Sequence, residues 1–206
     1  MLVRILKKLR VKNKMISIIV PIHNEDKKEL LVLEKNLSKL KEKKEIIFIP
    51  SSDYLKSYPS PKKGRAHQMN YGASLARGKY LWFLHSDSKV NKNCLILIND
   101  TLKDFDVGAF SLSFMSKNPL MCIVSFSTNI RSRITKVPYG DQGIFMKRKI
   151  FDKNRFCGNF MEDVDFMERV KRRYRIKILP EKIVTSPRKY EKNGIIKTVL
   201  KHRWIM

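Results

Sequence analysis

Three short apolar runs, each cut off by turn residues and followed by a helical pattern, constrain this chain more than any other feature. Ile16 to Val20 is rich in β-branched residues and stops at Pro21. Glu45 to Ile49 stops at Pro50, and Tyr80 to Leu84 runs into His85-Ser86-Asp87-Ser88. Short runs without polar alternation suit strands buried on both faces. Between the first two, Leu30, Leu31, Leu33, Leu37 and Leu40 mark one side of a helix that Asp26 can cap. Further helices are predicted from Arg65 to Ala76, closed by Gly78, and from Asn91 to Leu102, with a strand from Val107 to Met115. Strands alternating with helices make an α/β fold, a mostly parallel sheet flanked by helices. In such sheets ligands bind beyond the carboxyl ends of the strands. Residues 23–25, 51–53 and 85–88 therefore become the places to look.

The second half is less regular. Residues 116–135 are mixed, and Pro138 to Gly143 is a polar turn leading into a short strand, Gly143 to Met146. Glu162 to Arg173 has an apolar side made by Val164, Met167 and Val170 and reads as a helix. Ile176–Leu179 and Ile183–Thr185 read as two short strands, and Gly194–Trp204 as a basic terminal helix. A chain of 206 residues holds one domain with a real core, taken as residues 15–206 behind a basic extension, residues 1–14.

The net charge is +25, from 44 Lys and Arg against 19 Asp and Glu. Such a field draws anions: nucleic acid, acidic lipid or phosphorylated substrates. A solvated Lys-rich surface explains it equally well. Zinc-finger spacing and the aromatic pattern of an RNA-recognition module are both missing, so nucleic acid is not the expected partner. Leu2, Ile5, Leu6 and Leu9 fall at helical spacing among Arg4, Lys7, Lys8 and Arg10, and Lys197, Lys201, Arg203 and Trp204 lie near the other end. Basic amphipathic segments lie on anionic membranes. Cys94, Cys122 and Cys157 are dispersed and odd in number, as expected of reduced thiols. The expected location is the cytoplasm, with peripheral attachment to the inner face of the membrane.

Five segments can carry chemistry. Asp87 directly follows an apolar strand, where a carboxylate can hold Mg²⁺ or Mn²⁺ while a diphosphate completes the coordination. His85, two residues away, shares its face in extended backbone. Capping of the next turn is the plainer use of an Asp there. Pro21-Ile22-His23-Asn24-Glu25 can hydrogen-bond a ribose or a base. Gly64-Arg65-Ala66-His67-Gln68-Met69-Asn70 places a guanidinium at a helix N-terminus, which favours phosphate, although close helix packing explains its small residues too. Glu162 and Asp163 open a helix, where acids are favoured by the dipole and where one can also accept a proton. Asp141 and Gln142 sit in a tight turn and could touch a second substrate.

In this order the segments GRAHQMNYGASLARG, FLHSDS, PYGDQGIFMKR, MEDVDF and VTSPRKYEKNGIIKTVL resemble family 2 glycosyltransferases. Within that family they look like the bacterial subgroup described as radical-SAM/selenodomain-associated transferases. The resemblance runs from about Met15 to about Leu200. It implies a GT-A fold and transfer of a sugar from a nucleotide-diphosphate donor with a divalent metal. By match, Asp87 takes the last acid of the metal-binding segment and His85 stands where its first acid would be, with Ser86 between them. Asp163, next to Glu162, matches the proposed base for the acceptor hydroxyl. Pro21, Asn24 and Glu25 match the segment beside the nucleoside, and Arg65, Gln68 and Asn70 match the motif after the nucleotide loop. Asp141 and Gln142 match the acceptor-side turn. The acceptor is left open, and a lipid-linked one fits the expected location. One departure stands out: relatives carry Asp-Gly-Gly-Ser-x-Asp after the second strand, whereas this chain reads Ile49-Pro50-Ser51-Ser52-Asp53 and continues with a shortened stretch. That departure motivates an alternative, a member that binds nucleotide-sugar without turning it over. A basic nucleic-acid-binding protein is the remaining one.

Overall fold

The computed structural model describes residues 14–23, 26–50, 64–158, 161–188 and 190. Asn24, Glu25, Asp53, the basic N-terminal segment and the expected terminal helix lie outside the described residues. Six strands form one sheet: β1 (Ile16–Ile22), β2 (Lys44–Pro50), β3 (Tyr80–Phe83), β4 (Val107–Phe114), β5 (Phe145–Lys147) and β6 (Ile176–Thr185). Their spatial order is β2-β1-β3-β5-β4-β6. All neighbours run parallel except β5, which is antiparallel to both β3 and β4. The helices are α1 (Lys27–Ser38), α2 (Arg65–Leu75), α3 (Cys94–Asp104), α4 (Pro119–Thr135), α5 (Arg148–Asn154) and α6 (Glu162–Lys171).

The period-two geometry of strands divides the apolar runs between two cores. Ile16, Ile18 and Val20 of β1 join Tyr80 and Trp82 of β3, packed against Leu33 and Leu37 of α1 and Leu95 and Ile98 of α3. Ile19, Leu81 and Phe83 face the other way, onto Ala66, Met69 and Ala73 of α2 and Phe166, Met167 and Val170 of α6. Gly72 is required where α2 meets the sheet, because a Cβ there would lie 2.6 Å from Ile19 Cγ2. Arg148 closes the far end of α2, donating to the carbonyls of Gly78 (2.8 Å), Ala73 (3.2 Å) and Ala76.

Four local differences from the sequence reading have physical causes. Residues 119–135 form a regular helix, with Asn118 accepting from the Leu120 N–H at 2.9 Å as its cap and Pro119 in its first turn. The helix expected from Asn91 starts at Cys94, because Asn91 folds back to accept from the Asn93 N–H at 3.0 Å. The short strand expected over Gly143–Met146 runs instead from Phe145 to Lys147, since Gly143 is left-handed with φ 59° and still belongs to the turn. The two short strands after Tyr174 are one, β6, whose register against β4 jumps from Ala109–Ile178 to Ser111–Lys182. Pro180 lies inside the jump and cannot donate to a ladder. Side chains repair the gap: the Ser111 hydroxyl donates to the Leu179 carbonyl (2.6 Å), and the Gln142 amide to the Phe110 carbonyl (3.0 Å). No helix among the described residues is long and apolar enough to cross a membrane.

Candidate active site

Strand order, more than sequence proximity, assembles the site. The turn after β3 carries His85, Ser86 and Asp87. Because β5 lies between β3 and β4, the segment leading into it, Tyr139–Gly143, arrives beside that turn. Its 3-10 turn, Gly140–Gln142, meets the N-terminus of α6, where Glu162 and Asp163 sit. Arg65, at the start of α2, reaches across to both acids. The result is a cavity of about 310 Å³ whose walls include Arg65, His85, Asp87, Phe114, Tyr139, Gly140, Asp141, Asp163, Thr185 and Tyr190. That volume is at the lower end of small-molecule sites.

Asp163 is buried, and its Oδ2 accepts from the Gly140 N–H at 2.5 Å and lies 3.6 Å from Arg65 Nη2. Glu162, also buried, accepts directly from Arg65 Nε. Burial pulls the guanidinium's pKa down, but the charges of Asp163 and Glu162 outweigh it and hold it above its usual value. Arg65 Nη1 lies 3.0 Å from His85 Nε2. Gly140 is packed so tightly that a Cβ on it would stand 3.1 Å from both Asp163 Oδ2 and His85 Nε2. The residue before Glu162, Met161, takes a left-handed conformation at φ 53°, a strained choice for a non-glycine that turns the acid pair toward Arg65.

Asp87 lines the same cavity. Burial pushes its carboxyl pKa upward, against the hydrogen bond that Thr185 Oγ1 donates to Oδ1 at 3.1 Å. A carboxylate that is partly desolvated and faces a cavity suits a hard divalent cation, which would restore the lost solvation. No cluster of three or more His, Cys, Asp or Glu capable of holding a metal exists among the described residues. A cation held there would need its other ligands from a bound substrate, with Asp87 as one ligand from the chain. His85 Nε2 faces the Arg65 cation.

The other candidates divide into wall and framework. Asp141 lines the cavity with Asp87 and Asp163. Gln142 is fully buried; besides its bond to Phe110 it donates to Ser132 Oγ (3.1 Å) and accepts from the Tyr139 N–H (3.1 Å). Gln68 donates to the carbonyls of Ile22 (2.7 Å) and Ile49 (2.8 Å), tying together the ends of β1 and β2. Asn70 exchanges hydrogen bonds with the backbone of Phe156 at 2.8 and 3.1 Å. These three amides are engaged with backbone groups and are not among the cavity's walls. Pro21 is buried inside β1, opposite Ile49. Sequence reasoning did not single out Thr185, Tyr139 and Tyr190. Thr185 and Ser186 end β6, so the rule that points to strand carboxyl ends reaches them as well. Tyr139 is held by Arg131, whose guanidinium stacks 3.8 Å from the ring centroid.

A larger groove of about 810 Å³ runs between α1 and β2, lined by Leu30, Leu31, Glu34, Ile46 and Phe48 among others. Its Glu45 is already bonded to Ser17 Oγ (2.6 Å) and to the N–H groups of Arg77 (2.5 Å) and Gly78 (3.0 Å). That groove holds an Arg77–Glu45 ion pair too, at 3.1 Å, but only the smaller cavity brings the strand-end Asp87 together with Asp163, Asp141 and Arg65, and it is taken as the candidate site.

The model of the glycosyl transferase family 2 matches residues 17–155, more than half of the chain. The chain belongs to this family. By sequence, no curated protein matches it. Among solved structures it is similar to the mannosyltransferase PcManGT from Pyrobaculum calidifontis in complex with GDP-Man and Mn²⁺, at 15% identity and TM-score 0.65 over 88% of this chain and 62% of that one. It is also similar to S. aureus TarS 1–349 in complex with UDP-GlcNAc, at 17% identity and TM-score 0.62, over 84% and 58% of the two chains. A third is glucosyl-3-phosphoglycerate synthase from Mycobacterium tuberculosis in complex with Mn²⁺, UDP and glucosyl-3-phosphoglycerate, at 10% identity and TM-score 0.61, over 84% and 72%. These likenesses establish the GT-A fold of this family member. The chain spans less than two thirds of the mannosyltransferase and of TarS 1–349.

Proposed function

We propose that this family member transfers a sugar from a nucleotide-diphosphate donor to an acceptor hydroxyl in one displacement at the anomeric carbon. The observation that carries this reading is Asp87 and Asp163 on the walls of one cavity, with Arg65 beside the second acid. Asp87 would hold a divalent metal, which neutralises the charge building on the leaving diphosphate. Asp163 would take the acceptor proton, held in place by the Gly140 N–H and by Arg65. Glu162, bonded to Arg65 Nε, positions that guanidinium. Asp141 and Tyr139 would receive the acceptor at the cavity wall. Neighbours solved with GDP-Man, UDP-GlcNAc and Mn²⁺ support a nucleotide-sugar donor and a divalent cation. We further propose peripheral attachment to an anionic membrane, which the charge of +25 favours, and with it a lipid-linked acceptor.

The test is transfer by purified protein with Mn²⁺ across UDP-, GDP- and dTDP-sugars. Turnover that is lost in Asp87→Ala, together with an Asp163→Asn variant that still binds donor but transfers slowly, is the expected result. An intact fold with neither nucleotide binding nor turnover would overturn it. Pro50, which closes β2 without an N–H to offer, favours a second reading, binding without turnover. Calorimetric binding of a nucleotide-sugar with no product from any donor would select that reading.

A further inference from the structure

α4 has two contrasting faces. Met121, Val124, Thr128, Asn129 and Ser132 are buried against the sheet. The opposite side carries Leu120, Ile123, Phe126, Ile130 and Ile134, and Ile123, Phe126 and Ile134 are 62%, 66% and 76% exposed. At 100° per residue these five side chains fall within an arc of about 120° and extend about 21 Å along the axis. A stripe this long and narrow is more than the scattered apolar residues of an ordinary surface.

Its surroundings select the occupant. The seventeen residues of α4 contain no acid, and the exposed Lys117, Arg133 and Lys136 flank the stripe. A second copy would bring the same cations against them, on a chain already at +25. An anionic bilayer offers hydrocarbon to the stripe and phosphate to the cations at once. Phe114 and Tyr190, two walls of the candidate active site, pack in one cluster with Met121 and Val124 of α4. A bilayer beneath α4 would thus be separated from that cavity by the thickness of this one helix, about 10 Å, and the Phe114–Tyr190 layer.

We infer that the outer face of α4 is a membrane-docking surface that lies in the interface of an anionic bilayer. This deepens the membrane reading proposed above by naming the surface responsible. Flotation with phosphatidylcholine vesicles, with and without phosphatidylglycerol, separates the two. Wild type should float only with the anionic lipid. An Ile123→Glu/Phe126→Glu double variant should bind at least about tenfold more weakly, since both positions sit in the apolar face, with its thermal midpoint unchanged. Wild type that does not float overturns both readings. A double variant that floats like wild type overturns this inference and leaves the membrane reading standing. Cys122, exposed at the margin of the stripe, supplies a measurement independent of the variant. In a Cys157→Ser background, an environment-sensitive thiol dye on Cys122 should shift to the blue on adding anionic vesicles. A Cys122 closed to the reagent without vesicles would show the face already covered by another part of this chain or by a second copy, and would overturn the inference. Sedimentation equilibrium then tells which of the two covers it.

Discussion

Replacing Gln142 by Leu tests whether the turn at the candidate site is fastened by one buried amide. Leucine keeps nearly the volume and removes every hydrogen bond. The Phe110 carbonyl sits where β4 and β6 fall out of register, and it loses its donor at 3.0 Å. The Tyr139 N–H, half-buried, loses its acceptor at 3.1 Å. Ser132 Oγ loses a donor at 3.1 Å but keeps its own bond to the Asn129 carbonyl. An orphaned buried polar group costs about 1–3 kcal/mol, and the half-exposed N–H falls near the low end, so the sum is about 2–4 kcal/mol. Urea denaturation followed by tryptophan fluorescence should show the midpoint falling with the slope unchanged. The same turn presents the Gly140 N–H to Asp163, so transfer should fall by more than the loss of folded protein explains. A stability loss below about 0.5 kcal/mol would refute the reasoning, since buried groups without partners cannot be that cheap.

Three further outcomes follow from the same geometry. Asp87→Asn should abolish transfer without lowering stability: burial raises the Asp87 pKa in the folded state, so ionisation there costs stability at neutral pH. Thermal midpoints should show the Asn variant equal to or above wild type at pH 7, with the gap closing as the pH falls through the raised pKa toward the ordinary carboxylate range. Glu45→Gln should behave oppositely. Burial tends to raise the Glu45 pKa, but hydrogen bonds from Ser17, Arg77 and Gly78 prevail and hold it low, so its contribution is full above the usual carboxylate range and is lost as the pH drops through the lowered value. A pH series of unfolding midpoints in which wild type and Glu45→Gln converge under acid checks this. Gly140→Ala should slow transfer at least about tenfold if Asp163 is the base proposed above, because its Cβ would stand 3.1 Å from Asp163 Oδ2 and displace it. Circular dichroism should show its fold unchanged.

Much of the sheet was legible because its strands are short and apolar, rich in β-branched residues at Ile16–Val20 and in aromatic ones at Tyr80–Leu84. Buried parallel strands admit few other residues, and Ile16–Val20 and Tyr80–Leu84 fall almost where the sequence puts them. α4 was not legible, since apolar residues occupy both its buried face and its exposed one, and a helix apolar on most sides shows little periodicity. Pro180 reads as a break and turns out to be a register jump inside one strand. Within the site, Asp87 at a strand end and the acids at the start of α6 each have a plainer use as caps, and only their order along the chain with the other segments singled them out. Direction was harder to read. Gln68, Asn70 and Gln142 look from the sequence like groups for a ligand, yet each amide is engaged with backbone. The meeting of Gly140 with His85 and Asp163 depends on β5 entering between β3 and β4, which no local pattern specifies.

The register jump in β6 has a consequence beyond the site. β6 is the last strand of the row, and Lys177, Pro180 and Lys182 all stand exposed along it. A foreign strand seeking to extend the ribbon there would meet two ammonium groups, a kink and a ring with no hydrogen to give. Growth of the sheet by accretion from that margin is thereby discouraged, and crowded copies of this protein are kept from stitching themselves together there.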